Sequence, residues 1–308
     1  MTGRSLVTGG AGFVGRHLVA QLLERGETVR VLDRTIGPPA LLEDVESIEG
    51  SVTDSKTVAR AMHGVESVFH LAAQTQLWAR NRGSFVEINV EGTRQVMAQA
   101  RAAGVQRVVH VSSIVTLIGK STPRTGTTVS AESRLPASEM LGPYPRSKRQ
   151  GEEIALAAAC EGLQAIAVLP AVPVGPGDVN MTPPTRMLQQ LLNGDLPAVL
   201  DCMLNLIDVR ALARGLIAAR DHGDAGHCYV LAGEDLRMAE FLARLERLTR
   251  LPMPKRRVPY PVALAAATVS EAMASVTGKP PSAPLTGVRL AGRPVWLDAN
   301  AAQVDLGV

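Results

Sequence analysis

Eight residues near the start of the chain, Thr8 to Gly15, read "TGGAGFVG" and narrow the fold more than any others. They stand between an apolar run, "RSLVTG" (4–9), and "FVGRHLVAQLLERG" (13–26), whose apolar residues recur at helical spacing and stop at Gly26. Gly9, Gly12 and Gly15 therefore form G-x-x-G-x-x-G between a strand and a helix. Such glycines permit a tight turn, close backbone approach to a pyrophosphate, and close helix–strand packing. The helix start offers free N–H groups and a positive dipole end to phosphates. The pattern predicts a dinucleotide site built on Gly9, Gly12, Phe13, Val14 and Gly15. Asp33 closes the next strand, "TVRVLD" (28–33). An aspartate there accepts hydrogen bonds from the ribose hydroxyls and repels a 2′-phosphate, which favours NAD; the adjacent Arg34 keeps NADP as the alternative.

The alternation continues. "ESIEG" (46–50) reads as a weaker third strand, "ESVFHLAA" (66–73) as a fourth, "QRVVHVSS" (106–113) as a fifth and "LQAIAVLP" (163–170) as a sixth. Helices are predicted over 85–103 and 143–162. Strands alternating with helices imply right-handed βαβ units, so the fold class is α/β: a Rossmann-type doubly wound parallel sheet. Beyond Pro170 the pattern degrades, with prolines at 170, 173, 176, 183, 184 and 197. The reading is a dinucleotide-binding domain over 1–170 and a smaller C-terminal substrate lobe over 171–308, some segments of which return to the sheet. The substrate is expected between them, beyond the carboxyl ends of the strands.

Composition excludes several classes. With 46% hydrophobic and 20% charged residues the chain is globular, and its net charge of +3 is scattered, which argues against nucleic acid as a partner. Cys160, Cys202 and Cys228 form no paired pattern, which suits a reduced, cytoplasmic setting, and "MTGRSLVTGG" lacks a signal-peptide layout. "PVALAAATV" (261–269) is too short to span a bilayer. Because Lys255–Arg257 precede it, peripheral membrane association is the alternative to the preferred reading, a helix packed on the domain. The six histidines show no metal-ligand spacing with the cysteines, and no metal is expected. His70 and His110 fall in strands and are expected to be buried and hydrogen-bonded. Cys202 has no base placed to make it a nucleophile.

"GPYPRSK" (142–148) puts Tyr144 and Lys148 one helical turn apart. Pro143 suits the first helical position and Pro145 the first turn, where N–H groups lack intrahelical partners. A nearby ammonium and a cationic nicotinamide lower a phenol's pKa, so Tyr144 is the candidate general acid or base.

These motifs, with "FHLAA" (69–73), "INVEGT" (88–93), "VVHVSS" (108–113) and "VGPGD" (174–178), resemble the extended short-chain dehydrogenases/reductases of the NAD-dependent epimerase/dehydratase family over nearly the whole chain. "LWA" (77–79), "LNGDLPA" (192–198) and "LNLIDV" (204–209) are similar to the branch of dihydroflavonol reductase-like, 3β-hydroxysteroid dehydrogenase-like and hopanoid-associated sugar epimerase proteins. The resemblance implies that Ser113 bonds the substrate oxygen, Tyr144 transfers the proton, and Lys148 holds the cofactor ribose and tunes the tyrosine. It makes Ser112 and Asn89 structural, lines the cofactor cleft with Leu71, Ala72 and Ala73, and faces Pro170 to the nicotinamide. It also implies a homodimer through the helices near 85–103 and 143–162, and an aromatic and a proline after "VDLGV", where this chain ends.

The departures bear on the substrate. The family's aspartate that binds the adenine amine is Ser51 here, with Ser51 and Val52 as partial replacements. The family's diphosphate-binding arginine is Leu204, and a family histidine is Asp208. A leucine and an aspartate suit a nucleotide diphosphate badly, so the lining is expected to be Gln74 and the apolar Leu77, Trp78, Ile114, Val172, Met181, Met187 and Leu204. The favoured activity is NAD(P)-dependent interconversion of a secondary alcohol and a ketone on a lipophilic or unphosphorylated small molecule. The alternatives are a sugar epimerase or dehydratase with tightly bound NAD, and a non-catalytic redox sensor, against which the Ser113, Tyr144 and Lys148 set argues.

Overall fold

The computed structural model describes residues 3–36 and 45–308. Its elements run β1 (Arg4–Thr8), α1 (Phe13–Glu24), β2 (Thr28–Asp33), β3 (Glu46–Glu49), α2 (Ser55–Met62) and β4 (Ser67–His70). A continuous helix follows: α3 (Gly83–Val86) passes through a π-turn at Glu87–Glu91 into α4 (Gly92–Ala102). Then come β5 (Arg107–Val111), β6 (Thr127–Val129), α5 (Pro143–Cys160), β7 (Ala165–Pro170), β8 (Val172–Val174) and α6 (Pro183–Asn193). The chain ends through β9 (Ala198–Leu200), β10 (Met203–Asp208), α7 (Val209–His222), β11 (Cys228–Leu231), β12 (Glu234–Arg237), α8 (Met238–Thr249), β13 (Arg256–Val258), α9 (Tyr260–Thr277), α10 (Leu285–Ala291) and β14 (Val295–Leu297).

Seven parallel strands form the main sheet in the order β3-β2-β1-β4-β5-β7-β11. The central strands are apolar on both faces because helices cover both. Leu18 and Leu22 of α1 pack with Leu212 and Leu216 of α7 on one side. Val58 and Met62 of α2, Val96 of α4 and Ala155 of α5 cover the other. From β1 the chain first winds toward β3 and then returns to the other side of β1, so the strand order reverses between β1 and β4. That switch point opens a crevice at the carboxyl ends of the strands.

All six expected strands form, but the fourth and fifth end three and two residues early, at His70 and Val111 rather than 73 and 113. Leu71 still donates to Thr8 at 3.0 Å. Beyond it, β1 has already turned into the glycine loop and no partner strand remains. The residues freed by this early ending are the ones that reach the crevice.

The seventh strand, β11, and α7 come from beyond Pro170. The rest of that half builds a three-stranded sheet (β12-β10-β8) and a paired ribbon, β13-β9, and its last strand, β14, pairs with β6 of the first half. Leu191, Val199, Met238, Leu242 and Met253 form its own small core. Among the described residues no helix is long and apolar enough to cross a membrane. Helix α9 packs on the domain as expected, against α10, but through one narrow face: only Ala267 and Ala274 of its 18 residues are buried.

Candidate active site

The glycine loop sits at the switch point. Gly9 adopts φ +74°, and a Cβ there would lie 2.8 Å from the backbone nitrogen of Ala72. A Cβ on Gly15 would lie 2.3 Å from the Gly9 carbonyl oxygen. Both positions thus exclude any side chain, the first by conformation and contact, the second by contact alone. Helix α1 starts at Phe13 with no side-chain cap and no acidic residue in its first turn. Its free N–H groups and positive end face the crevice uncompensated, as an anion site requires. Asp33 Oδ2 accepts the Ala11 N–H at 3.1 Å, and Oδ1 accepts the Arg34 N–H at 2.7 Å, so the carboxylate both closes β2 and braces the loop. Arg34 itself is exposed. The crowded glycines, the uncapped helix start and the placed carboxylate fit a dinucleotide.

Leu71, Ala72 and Ala73 leave β4 beside this loop, with the Ala72 N–H 3.3 Å from Thr8 Oγ1. Pro170 ends β7, buried, where its strand pairs with Leu231. The adenine end differs from expectation. Ser51 is engaged with Thr53, hydroxyl to hydroxyl at 2.8 Å, and Val52 is buried in the core, where a Cβ on Gly92 would meet it at 2.7 Å. Val52 is a packing residue.

Ser113 follows β5 and caps a single 3₁₀ turn, Ile114–Leu117, accepting the Val115 N–H at 3.4 Å. Tyr144 begins α5 right after Pro143, which occupies the first helical position after the Gly142 cap. Both prolines lie in the first turn, so neither interrupts the helix. The Ser113 hydroxyl stands beside the Tyr144 phenol. Burial raises the phenol's pKa, and Ser113 pulls it down. The expectation that Lys148 draws this phenol toward neutrality is not met by the protein's own charges. Lys148 is 5% exposed and its Nζ donates to the Val111 carbonyl at 2.6 Å. Burial lowers its pKa to about 8, with Glu152 holding it up.

Asn89 lies in the π-turn. Its Oδ1 accepts the Gln74 N–H at 2.7 Å, and its Nδ2 donates to the Gln74 carbonyl at 3.0 Å and to Ser147 Oγ at 2.9 Å. The turn's extra residue aims this amide at the loop after β4; π-turns recur at functional sites.

One residue at this site has no sequence-level expectation. Glu152 is fully buried on α5, two turns after Tyr144 and one after Lys148. Its Oε2 accepts the Ser112 hydroxyl at 2.8 Å and the Thr116 hydroxyl at 3.0 Å, and Arg149 Nη1 donates to its Oε1 at 2.6 Å. The signal was present: a carboxylate at i+4 from the lysine, on the face that buries Lys148 and Ala155.

The histidines divide. His70 Nδ1 meets Thr8 Oγ1 at 2.7 Å and Nε2 meets Thr93 Oγ1 at 3.0 Å, as expected of a buried imidazole. His110 is as deeply buried, 5.4 Å from His70 ring to ring, but among the described residues neither of its nitrogens has a partner, which corrects that expectation. Burial first, then the Lys148 charge, takes the His70 pKa to about 3 and holds that of His110 well below its usual 6.5. Burial and Asp201 push the Cys202 thiol up to about 11, which keeps it protonated.

The expected substrate lining is dispersed. Gln74, Leu77, Trp78, Val172 and Met181 are partly exposed. Leu77 lies against α10, 3.1 Å from where a Gly287 Cβ would stand. Ile114 is buried in a core cluster with Leu117 and Ala167, so its part is packing. Met187 and Leu204 are partly buried and pack against the core of the C-terminal half. Asp208 caps α7, accepting the Arg210 N–H at 2.8 Å, and its carboxylate takes the Arg210 guanidinium at 3.0 and 2.6 Å. Those bonds hold its pKa well below the usual carboxylate range. His17 ties α1 to the Gly-Pro-Gly loop through Pro176 at 2.9 Å.

Comparison with known proteins agrees with this geometry. A putative dihydroflavonol 4-reductase of Synechocystis sp. is 35% identical over 308 residues, 98% of this chain and 89% of that one. Sterol demethylase protein B of Methylococcus capsulatus is 33% identical over 259 residues, 83% of this chain and 77% of its own. Among solved structures, gox2253 superposes with a TM-score of 0.85 at 29% identity, covering 99% of this chain and 93% of that one. Residues 5–232, which span the glycine loop, the main sheet and α5, match one family model. The chain belongs to the NAD dependent epimerase/dehydratase family.

Proposed function

We propose that this enzyme interconverts a secondary alcohol and a ketone on a lipophilic or unphosphorylated substrate, with NAD as cofactor. The observation that carries the reading is that Ser113, capping the turn after β5, stands beside the Tyr144 phenol and lowers its pKa, with the buried Lys148 one helical turn further along α5. Two neighbouring hydroxyls mark one point where a substrate oxygen can meet both.

The α1 start and Gly9, Gly12, Phe13 and Val14 would hold the cofactor diphosphate, and Asp33 the ribose. When bound, the nicotinamide supplies the hydride acceptor or donor and, oxidised, a positive charge. The protein's residues handle the proton. Ser113 fixes the substrate oxygen, and Tyr144 removes its proton on oxidation or returns it on reduction. Lys148, held by Val111 at the base of the site, keeps an ammonium on the helix face of Tyr144.

Two features favour a substrate without a diphosphate. Leu204 stands in place of a cation, and Arg210, at the start of α7, already spends its guanidinium on Asp208. Relatives point the same way: neither a sterol nor a dihydroflavonol carries a phosphate.

The test is NADH formation with a panel of flat hydroxysteroids and alicyclic alcohols, beside UDP-sugars. Tyr144→Phe should lower kcat/KM by about 10²–10⁴-fold while preserving the rise in Tm that NAD produces. Turnover in Tyr144→Phe, or a Tm rise with UDP and none with the alcohols, overturns the reading. A homodimer through α4 and α5 accompanies it; a monomer by light scattering at micromolar concentration contradicts that part.

A further inference from the structure

Helix α9 carries a bare apolar stripe. At 3.6 residues per turn, Val262, Ala265, Ala266, Val269, Met273 and Val276 fall on one side, and every one is exposed. Val276 is 88% exposed, and Val269 and Met273 are each 60% exposed. Glu271, the only charged residue of the helix, lies half a turn away on the opposite side. There Arg82 pairs with it at 3.0 Å and the Leu285 N–H donates to it at 3.1 Å. The stripe forms one wall of an open groove of about 1000 Å³, and Lys279 to Ser282 form another.

Cations stand at both ends. Lys255, Arg256 and Arg257 are exposed just before the helix, and Arg80 and Lys279 are exposed just beyond it. The Arg80 guanidinium lies against Gly278, where a Cβ would meet its Cζ at 3.1 Å. Among the described residues none of these five cations is in an ion pair.

We propose that the α9 stripe docks this protein on an anionic lipid bilayer. The apolar side chains enter the boundary between headgroups and acyl chains, and the terminal cations meet the lipid phosphates. Charge decides between lipid and a second copy of the chain. Stripe-to-stripe pairing about a two-fold axis sets the cations before α9 against those beyond it, and no carboxylate lies on the stripe to offset them. An anionic surface satisfies both ends at once. Docking also has a geometric consequence for the site. Helix α10 lies between α9 and the catalytic helix: Thr286 meets Gly142 at 2.3 Å from its would-be Cβ, and Gly287 faces Leu77. The inference names a surface and holds whether or not the substrate reading does.

The experiment is co-sedimentation of the full chain with vesicles of phosphatidylglycerol in phosphatidylcholine, and with phosphatidylcholine alone. Binding is expected to the anionic vesicles, weaker to the neutral ones, and lost at high salt. Val269→Asp with Met273→Asp should lower the partition coefficient at least tenfold, with circular dichroism and the NAD-induced Tm rise unchanged. Arg256→Gln with Arg257→Gln should lower it about fivefold per charge. No binding to anionic vesicles at low salt, equal binding to both vesicles, or binding untouched by the aspartates overturns the proposal. So does a dimer by light scattering that the aspartates dissolve, which would assign the stripe to a second copy.

Discussion

The carboxylate of Glu152 accepts the Ser112 hydroxyl at 2.8 Å, and so fastens the helix that carries Tyr144 and Lys148 to the strand end that carries Ser113. The same oxygen takes Thr116, from the 3₁₀ turn that Ser113 caps. The three proposed catalytic side chains, from two elements, are thereby set by one buried acid, which Arg149 neutralises from the edge of the helix.

Glu152→Ala should destabilise the fold by about 1–3 kcal/mol, because it leaves the buried Ser112 hydroxyl without its acceptor and takes one of two carboxylates from Arg149. Urea unfolding measures this. Glu152→Gln keeps the shape but removes the charge that holds the Lys148 pKa up. The midpoint of the pH profile set by Lys148 should then move down, whereas a purely structural glutamate would leave that midpoint in place.

Lys148 makes stability depend on pH in a definite direction. Its pKa is about 8 in the fold against 10.5 for a lysine in water. Below pH 8 both states are protonated, and the fold bears the full cost of the buried ammonium, about 3 kcal/mol. Between those values the unfolded chain holds more protons, so this group's effect on stability improves as pH rises. Lys148→Met should remove that rise. Tm of the two proteins across alkaline pH checks it, and parallel curves would sink the assignment.

The two buried histidines should respond oppositely to replacement. His110→Phe removes a ring without hydrogen-bond partners and is expected to be neutral or stabilising by about 1 kcal/mol. His70→Phe takes the acceptor from the buried Thr8 hydroxyl and should cost about 1–3 kcal/mol. Both folded pKa values lie below 6.5, so the unfolded chain takes up protons first and stability falls as pH drops beneath 6.5. His110→Phe should flatten that fall, read as Tm against pH.

Asp33→Asn should weaken NAD binding and improve NADP relative to it, since the 2′-phosphate no longer meets a carboxylate beside Arg34. Ratios of kcat/KM for the two cofactors measure the change. An unchanged ratio would remove Asp33 from the ribose.

The first half of this chain was legible because each strand and helix in it repeats a period long enough to read. The glycine loop and the Tyr144–Lys148 spacing are local, so sequence carried them whole. What escaped depends on tertiary packing. The four residues of β11 are too few to show a period, and the π-turn inserts a residue that no hydrophobic pattern reveals. The site followed the same rule. Val52 and Ile114 are apolar residues next to candidate site residues, and only the packed core shows that they face inward. Glu152 escaped because a glutamate on a helix ordinarily sits in water, and its burial depends on hydroxyls from distant parts of the chain.

The outermost strand of the main sheet, β11, is made long after its neighbour β7. While residues 171–227 are being synthesised, several seconds at about 5–20 residues per second, the β7 edge has hydrogen-bonding groups and no strand to take them. Bare edges of this kind recruit other chains. Codon changes that slow ribosomes between those positions should therefore raise aggregation without altering one amino acid.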